Sequence, residues 1–184
     1  LGLKYCTAQS ARNNLITNKG WTITGDAQNI ACTSPDYTIT TTSGNIVITD
    51  AKGTGETLEV SENSGKIRFN VTGKTYNIDG GTTTAFTTPA EVVLSGKNSI
   101  TVNTAGGNDI INVGAFTTQL PTLTINGGTG DDEVNLNGNI TFVSNANLDL
   151  DLQNDDATAP GTDALSIAAN AIVTLSGTGT ATVK

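Results

Sequence analysis

The sequence feature that most constrains the fold is a repeated alternation of short strand-like runs and corners rich in Gly, Asn and Asp. The segments "ITVNTAGGNDIINV" (100–113) and "LTINGGTGDDEVNL" (123–136) align without a gap, so Asp109 corresponds to Asp132, 23 residues later. Apolar residues at every second position indicate strands with one buried face. The chain therefore predicts an all-β fold in which corners recur in register with strands.

Two further segments repeat this pattern less completely. "IVITDAKGTGETLEV" (46–60) places Glu56 near the acidic position, and "GTDALSI" (161–167) places Asp163 31 residues after Asp132. Coils of 20-odd residues, one of them with an insertion, are typical of folds in which each coil stacks on its neighbour.

The whole body of the chain follows the same alternation. The predicted strands are 37–41, 45–50, 57–61, 66–71, 75–78, 91–95, 99–103, 109–113, 122–126, 133–137, 139–143, 147–152, 164–168, 172–176 and 180–183. We predict that residues 35–184 form a right-handed parallel β-solenoid (β-helix), with Ile100 and Val102 stacked on Leu123 and Ile125. A row of small β-sandwich modules is the alternative.

Charge is distributed unevenly along the chain. Residues 1–97 hold eight basic and eight acidic residues, whereas residues 98–183 hold nine acidic residues and no basic one. A long segment without cations argues against nucleic acid or an anionic membrane as a partner, and suits bound cations or a solvated exterior. No apolar run approaches the roughly 18 residues that a spanning helix needs, so membrane insertion is not expected.

Two cysteines and the absence of histidine restrict the chemistry. Cys6 and Cys32 are the only cysteines, and without histidine a Cys/His zinc site, a Ser-His-Asp triad and a Cys-His pair are excluded. The two cysteines form either a disulfide or two buried thiols, and we favour the disulfide. It would close a small cap domain (1–34) and indicate an oxidising, extracytoplasmic setting.

The cap has its own pattern. "TAQSARNNLITNKG" (7–20) predicts a short helix that begins after Thr7 and ends at Gly20. "WTIT" (21–24) predicts a short strand that follows the helix. The apolar residues at helical spacing are Ala8, Ala11, Leu15 and Ile16.

The stretch "YCTAQSARNNLITNKGWTITGDAQNIAC" (5–32) resembles the C-terminal closing segment of bacterial BspA-like leucine-rich surface proteins. In that family a Tyr-Cys, a short helix, a Gly-Trp-Thr-Ile strand and a final Cys end the repeat array. The resemblance implies leucine-rich repeats upstream, so that this chain is a piece of a longer surface protein. It is carried by Tyr5, Cys6, Ala11, Arg12, Leu15, Gly20, Trp21, Thr22, Ile23 and Cys32.

The corner "GGTGDDEVN" (127–135) is similar to one nonapeptide repeat of the RTX calcium-binding family, and "TAGGNDIIN" (104–112) to a degraded copy. The resemblance implies that Asp109, Asp131 and Asp132 are calcium ligands. The two nonapeptides are not in tandem, however, and glycine and aspartate also suit a tight corner without an ion. We therefore expect no required cofactor, and Ca²⁺ as an optional, weakly bound ligand.

Carboxylate pairs raise the question of catalysis. Asp131 and Asp132, and Asp149 and Asp151, are the kind of pairs that a glycosidase uses. Residues 98–183 offer no Lys, Arg or His to assist them, so we do not expect an enzyme. A threonine-rich ice-binding face is also disfavoured, because the T-x-T motifs do not recur at a constant spacing.

The body as a whole resembles the repetitive surface adhesins of bacteria. The function expected from the sequence is a non-catalytic structural or adhesive segment of a large bacterial cell-surface or secreted protein. Its expected location is extracellular or at the cell surface, and its expected partners are other segments of that protein, surface glycans or surface proteins. The alternatives are a carbohydrate-binding or carbohydrate-cleaving β-helix and an RTX-like calcium-binding module.

Overall fold

A computed structural model describes residues 4–5, 9–24, 27–28, 34–152 and 161–184. Helix α1 is Gln9–Lys19, and a short 3-10 turn spans Thr42–Gly44. The strands are β1 (Lys4–Tyr5), β2 (Ala27–Gln28), β3 (Tyr37–Thr40), β4 (Asn45–Asp50), β5 (Thr57–Asn63), β6 (Lys66–Val71), β7 (Thr75–Ile78), β8 (Thr84–Ala85), β9 (Ala90–Val93), β10 (Ser99–Asn103), β11 (Ile110–Val113), β12 (Thr122–Asn126), β13 (Glu133–Leu136), β14 (Ile140–Thr141), β15 (Leu148–Asp151), β16 (Ala164–Ile167), β17 (Val173–Thr174) and β18 (Ala181–Val183).

The N-terminal segment contains the predicted helix but not the predicted strand. Helix α1 stops before Gly20, whose φ of +65° suits the left-handed residue that ends many helices. The strand predicted at 21–24 is wrong, since these residues form no strand and Trp21 is 59% exposed. Cys6 and Cys32 lie outside the described residues, so their disulfide stays a prediction. In the described part of the chain, no helix is long and apolar enough to cross a membrane.

Two large sheets make up the body. One has eight strands in the order β18-β15-β12-β10-β4-β3-β7-β8, and the other has six in the order β16-β13-β11-β5-β6-β9. The described strands pass from the first sheet to the second five times, at β4–β5, β8–β9, β10–β11, β12–β13 and β15–β16. The buried side chains of both sheets form one hydrophobic core.

The predicted right-handed parallel β-solenoid is wrong. Both large sheets mix parallel and antiparallel pairs, with β3–β4, β5–β6, β6–β9 and β7–β8 antiparallel, and the described strands do not close into a solenoid. The cause is visible between β5 and β6. Ser64 and Gly65 have φ of +51° and +78°, as in the two-residue turns that reverse the chain into a hairpin. The single core also argues against separate β-sandwich modules.

The predicted stacking of β10 on β12 is confirmed. Their pairing is parallel, with Ile100 opposite Leu123 and Val102 opposite Ile125, and all four side chains are buried. Strands β11 and β13 pair in the same way. From β10 onward, therefore, the inward residues of one strand pair stack directly on those of the next.

Strand β10 offers a matched pair of substitutions that tests the inward assignment. Val102 is fully buried between β4 and β12, whereas its neighbour Thr101 points outward. Val102→Asp should lower the free energy of unfolding by roughly 3–5 kcal/mol, because an unpaired carboxylate would be buried, and Thr101→Asp by less than about 1 kcal/mol. Urea unfolding followed by circular dichroism measures both. Equal losses would contradict the assignment.

Candidate functional site: the acidic corner

Four of the connections from the first large sheet to the second, β4–β5, β10–β11, β12–β13 and β15–β16, end in acidic residues that fall into one column. The register places Ile110 opposite both Thr57 and Glu133, and Glu133 opposite Ala164. The residues just before these four are Glu56, Asp109, Asp132 and Asp163, which we call the acidic column. The correspondence predicted from the sequence repeats is confirmed for all four.

The acidic column is held by a ladder of hydrogen bonds. The backbone N–H of Glu56 donates to Oδ1 of Asp109 (2.8 Å), and that of Asp109 donates to Oδ1 of Asp132 (2.9 Å). The N–H of Asp132 donates in turn to Oδ1 of Asp163 (2.9 Å). Each of the three aspartates thus satisfies a backbone donor of the preceding loop, and hydrogen bonds to a charged acceptor are among the stronger ones in proteins.

The middle of the column is sealed from solvent. Asp109 and Asp132 are each 1% exposed, and Asp50, in the first corner, is 3% exposed. The Asp50 carboxylate accepts hydrogen bonds from the N–H groups of Lys52 (2.7 Å) and Thr54 (3.1 Å) of its own loop. Several carboxylates therefore lie close together where water cannot screen them.

The burial and close packing of these carboxylates most affect the pKa of Asp109. Burial raises the pKa of its carboxyl to about 7, although the hydrogen bond from the Glu56 N–H opposes the rise, and the charges of Asp132, Glu56 and Asp50 add to it. Its second oxygen, Oδ2, is buried without a hydrogen-bond partner among the described residues. A proton or a cation at this oxygen would relieve the repulsion.

The negative charge of Glu56, at the start of the column, is balanced by hydrogen-bond donors and a lysine. Its carboxylate accepts hydrogen bonds from the Tyr37 hydroxyl (3.1 Å) and the Thr54 hydroxyl, and it pairs with the Lys74 ammonium. The hydrogen bond to Glu56 raises the pKa of Lys74, so the ammonium keeps its charge. Compensation by a cation is thus present at one end of the column.

The three predicted calcium ligands do not converge on one point. Asp109 and Asp132 lie one above the other inside the corner, whereas Asp131 is exposed. Asp131 accepts hydrogen bonds from the Asn108 side chain (3.3 Å) and the Thr162 N–H (2.6 Å). Adjacent residues in the corner therefore point to opposite sides.

The described residues of the corner provide too few free oxygen atoms to complete the coordination of a calcium ion. The Oδ1 atoms of Asp109 and Asp132 already accept backbone hydrogen bonds, so the Oδ2 atom of Asp109 is the best-placed ligand. In the ranges that the structure describes, no group of three or more acidic or cysteine side chains is placed to hold a metal ion. Calcium at this corner stays a prediction.

The glycines of "GGTGDD" have a structural role that needs no ion. A Cβ at Gly128 would lie 2.0 Å from the backbone oxygen of Ala105, and one at Gly130 would lie 2.2 Å from that of Gly107. Both glycines also have positive φ, +100° and +127°. Only glycine therefore lets loop 127–132 stack closely on loop 104–109.

Two columns of asparagine flank the corner, and we did not predict them from the sequence. The Asn126 amide donates to Asn103 Oδ1 (2.7 Å), and the Asn135 amide donates to Asn112 Oδ1 (3.1 Å). The Asn112 amide continues its column to Glu59 (2.7 Å). The aligned repeats could have predicted both columns, because each asparagine occupies the same position in the two aligned segments.

A cleft of about 460 Å³ lies beside the acidic column. Its lining includes Glu56 from the column and Glu59, whose carboxylate binds the Asn112 amide. The remaining lining residues are Gly55, Thr57, Val71, Thr72, Asn108 and Ile110. Hydroxyl, amide and carboxylate groups dominate this lining, and none of these described residues is aromatic.

Comparison of the chain with protein-family models, with curated proteins and with solved structures finds no match. The resemblances of residues 5–32 and 127–135 to known families rest on their motifs and remain predictions.

The pKa of Asp109 predicts how stability depends on pH. Because its pKa is about 7 in the folded chain and about 4 when unfolded, the folded protein binds this proton more tightly. Asp109 therefore lowers stability as pH rises from about 4 to about 7, by an amount on the order of 4 kcal/mol, with little further change above that range. In Asp109→Asn the free energy of unfolding should not show this decrease between about pH 4 and about pH 7. The control Asp131→Asn, which changes an exposed residue, should still show it.

Urea unfolding at a series of pH values in EGTA measures this difference. Parallel pH profiles for the wild type and Asp109→Asn would contradict it. The same series with millimolar CaCl₂ tests the ion. Recovery of stability at pH 8 in the wild type but not in Asp109→Asn would support the calcium prediction.

Proposed function

We propose that this chain is a non-catalytic structural or adhesive segment of a large bacterial cell-surface or secreted protein, located outside the cytoplasm. One observation carries the proposal. The acidic side chains that a catalytic site would need instead accept backbone hydrogen bonds from the neighbouring loop, as at Asp109 and Asp132. Groups held in this way support a rigid stack.

The asparagine columns support the same role. They link successive strands by side-chain hydrogen bonds that run along the stack, in addition to the backbone pairing of the strands. A stack held by both kinds of bond suits a segment that provides reach or a lateral contact surface. Its proposed partners are other segments of the same protein, surface glycans or surface proteins.

Carbohydrate binding is the second candidate, and the cleft beside the column favours it. The polar lining around Glu56 and Glu59 has the groups that hydrogen-bond to sugar hydroxyls. Two features weaken it. Both carboxylates already have partners, Lys74 and Tyr37 for Glu56 and Asn112 for Glu59, and no aromatic platform lines the cleft. A structural role accounts for more of the observed contacts.

A calcium-binding module is the third candidate, and it depends on a single atom. The buried Oδ2 of Asp109 accepts no hydrogen bond within the described residues, which suits either a proton or a cation. The pH series with and without calcium separates these two possibilities. A structural role holds in either case, because the ladder uses the Oδ1 atoms.

The location of the protein on native cells tests the proposal. Antibodies raised against residues 35–184 should label intact cells of the source organism without permeabilisation. An antibody to a cytoplasmic protein should label them only afterwards. The non-reduced digest of protein taken from these cells should contain the Cys6 and Cys32 peptides linked by a disulfide. Labelling only after permeabilisation, together with two free thiols, would contradict an extracytoplasmic segment.

A further inference from the structure

The chain contains two Asn-Gly dipeptides, Asn126–Gly127 and Asn137–Gly138. An asparagine that precedes glycine is prone to lose its side-chain amide, because glycine has no Cβ to hinder attack of its backbone nitrogen on the asparagine side chain. The reaction requires that this nitrogen and the side-chain amide be free to approach each other. The structure places the two dipeptides in opposite environments.

The dipeptide at Asn126 is held at both of the groups that would react. The Asn126 side-chain amide donates to Asn103 Oδ1 (2.7 Å), and the Gly127 N–H donates to the carbonyl oxygen of Asp151 (3.0 Å). The carbonyl oxygen of Asn126 accepts the Thr104 N–H (3.1 Å). Ring closure at this dipeptide would break several of these bonds at once, so it requires a local opening of the stack.

The dipeptide at Asn137 is free at the same two groups. Asn137 lies just beyond the end of β13, and its side chain is exposed. Among the described residues, neither its side-chain amide nor the Gly138 N–H has a hydrogen-bond partner. The N–H of Asn137 itself donates to the carbonyl oxygen of Val113 (2.7 Å), but this nitrogen does not react. No hydrogen bond with the described residues therefore has to break before the ring closes.

Close packing of two loops explains why a glycine follows this exposed asparagine. A Cβ at Gly138 would lie 2.4 Å from the backbone nitrogen of Ala115, so a larger residue does not fit. The next asparagine, Asn139, differs in two ways. It is followed by Ile140, whose side chain hinders attack, and its Oδ1 accepts the Ile172 N–H (3.0 Å). Asn137 is thus the exposed asparagine at which both obstacles are missing.

We propose that Asn137 is a site of spontaneous deamidation in the folded protein, and that Asn126 is protected from it. The Gly138 nitrogen loses its proton to solvent and forms a bond to Cγ of Asn137. The bond between Cγ and Nδ2 breaks, and Nδ2 takes up a proton and leaves as ammonia, which gives a cyclic succinimide.

Water then opens the succinimide ring in one of two ways. Cleavage of the bond between the Gly138 nitrogen and Cγ gives aspartate. Cleavage of the bond between this nitrogen and the backbone carbonyl carbon of Asn137 gives isoaspartate, in which the main chain runs through Cγ. Either route consumes a water molecule, releases ammonia overall and leaves a carboxylate in place of the amide.

The modification changes the junction between β13 and β14. Both products add a negative charge to residues 98–183, which contain no basic residue. Isoaspartate also lengthens the main chain by a CH₂ group between Leu136 and Ile140, which are both buried. This proposal goes beyond the structural role above and does not depend on the cellular location.

Peptide mapping by mass spectrometry tests the proposal. In folded protein incubated at mildly alkaline pH and then digested at acidic pH, Asn137 should deamidate faster than Asn126 by roughly tenfold or more. In guanidinium chloride the two sites should react at similar rates, because each follows a large aliphatic residue and precedes glycine. Asn137→Gln should remove the acidic species that ion exchange detects first, because a glutamine side chain closes the ring much more slowly.

Three results would overturn the proposal. Equal rates at the two sites in the folded protein, or a faster reaction at Asn126, would show that the structure does not expose Asn137 to the reaction. A rate ratio as large in the unfolded chain as in the folded one would assign the difference to the flanking sequence. Persistence of the first acidic species in Asn137→Gln would place the reaction at another residue.

Discussion

The hydrogen bond from a backbone N–H of one corner loop to the carboxylate of the next is the interaction on which the parallel part of the fold depends. Asp132 shows why, since its carboxylate accepts the Asp109 N–H while its own N–H donates to Asp163. Without these acceptors, buried backbone donors would lack partners, at a cost of about 1–3 kcal/mol each. The ladder holds the loops in register, and the register stacks the apolar residues of the strands.

The same ladder explains why carboxylates repel one another in the corner. In this corner the backbone donors are satisfied by carboxylates, and stacking the loops brings these carboxylates together away from water. Lys74 relieves the charge at Glu56, but the middle of the column is buried, and the pKa of Asp109 rises to about 7 as a result. The stability of the corner therefore depends on whether Asp109 carries a proton.

Sequence patterns predicted the strands and the acidic column better than they predicted the fold. The gapless alignment of 100–113 with 123–136 was enough to place Asp109 beside Asp132, because a strand register follows from a constant offset between corners. Alternation with period two is the same in parallel and antiparallel strands, so it could not show the direction of β6. That information was in Ser64 and Gly65, a two-residue turn between alternating runs. The outward position of Asp131 was also missed, because spacing alone does not tell which of two adjacent acids faces inward.

Amide hydrogen exchange at the corner tests the central claim most directly. The amides of Glu56 and Asp109 should exchange as slowly as those of strand β11, although both belong to loops, because each donates to a buried carboxylate. Asp132→Ala should speed exchange of the Asp109 amide by about tenfold or more and leave the Glu56 amide, whose acceptor is Asp109, nearly unchanged. Rapid exchange of both amides in the wild type, or an equal effect of Asp132→Ala on both, would contradict a stack held by this ladder.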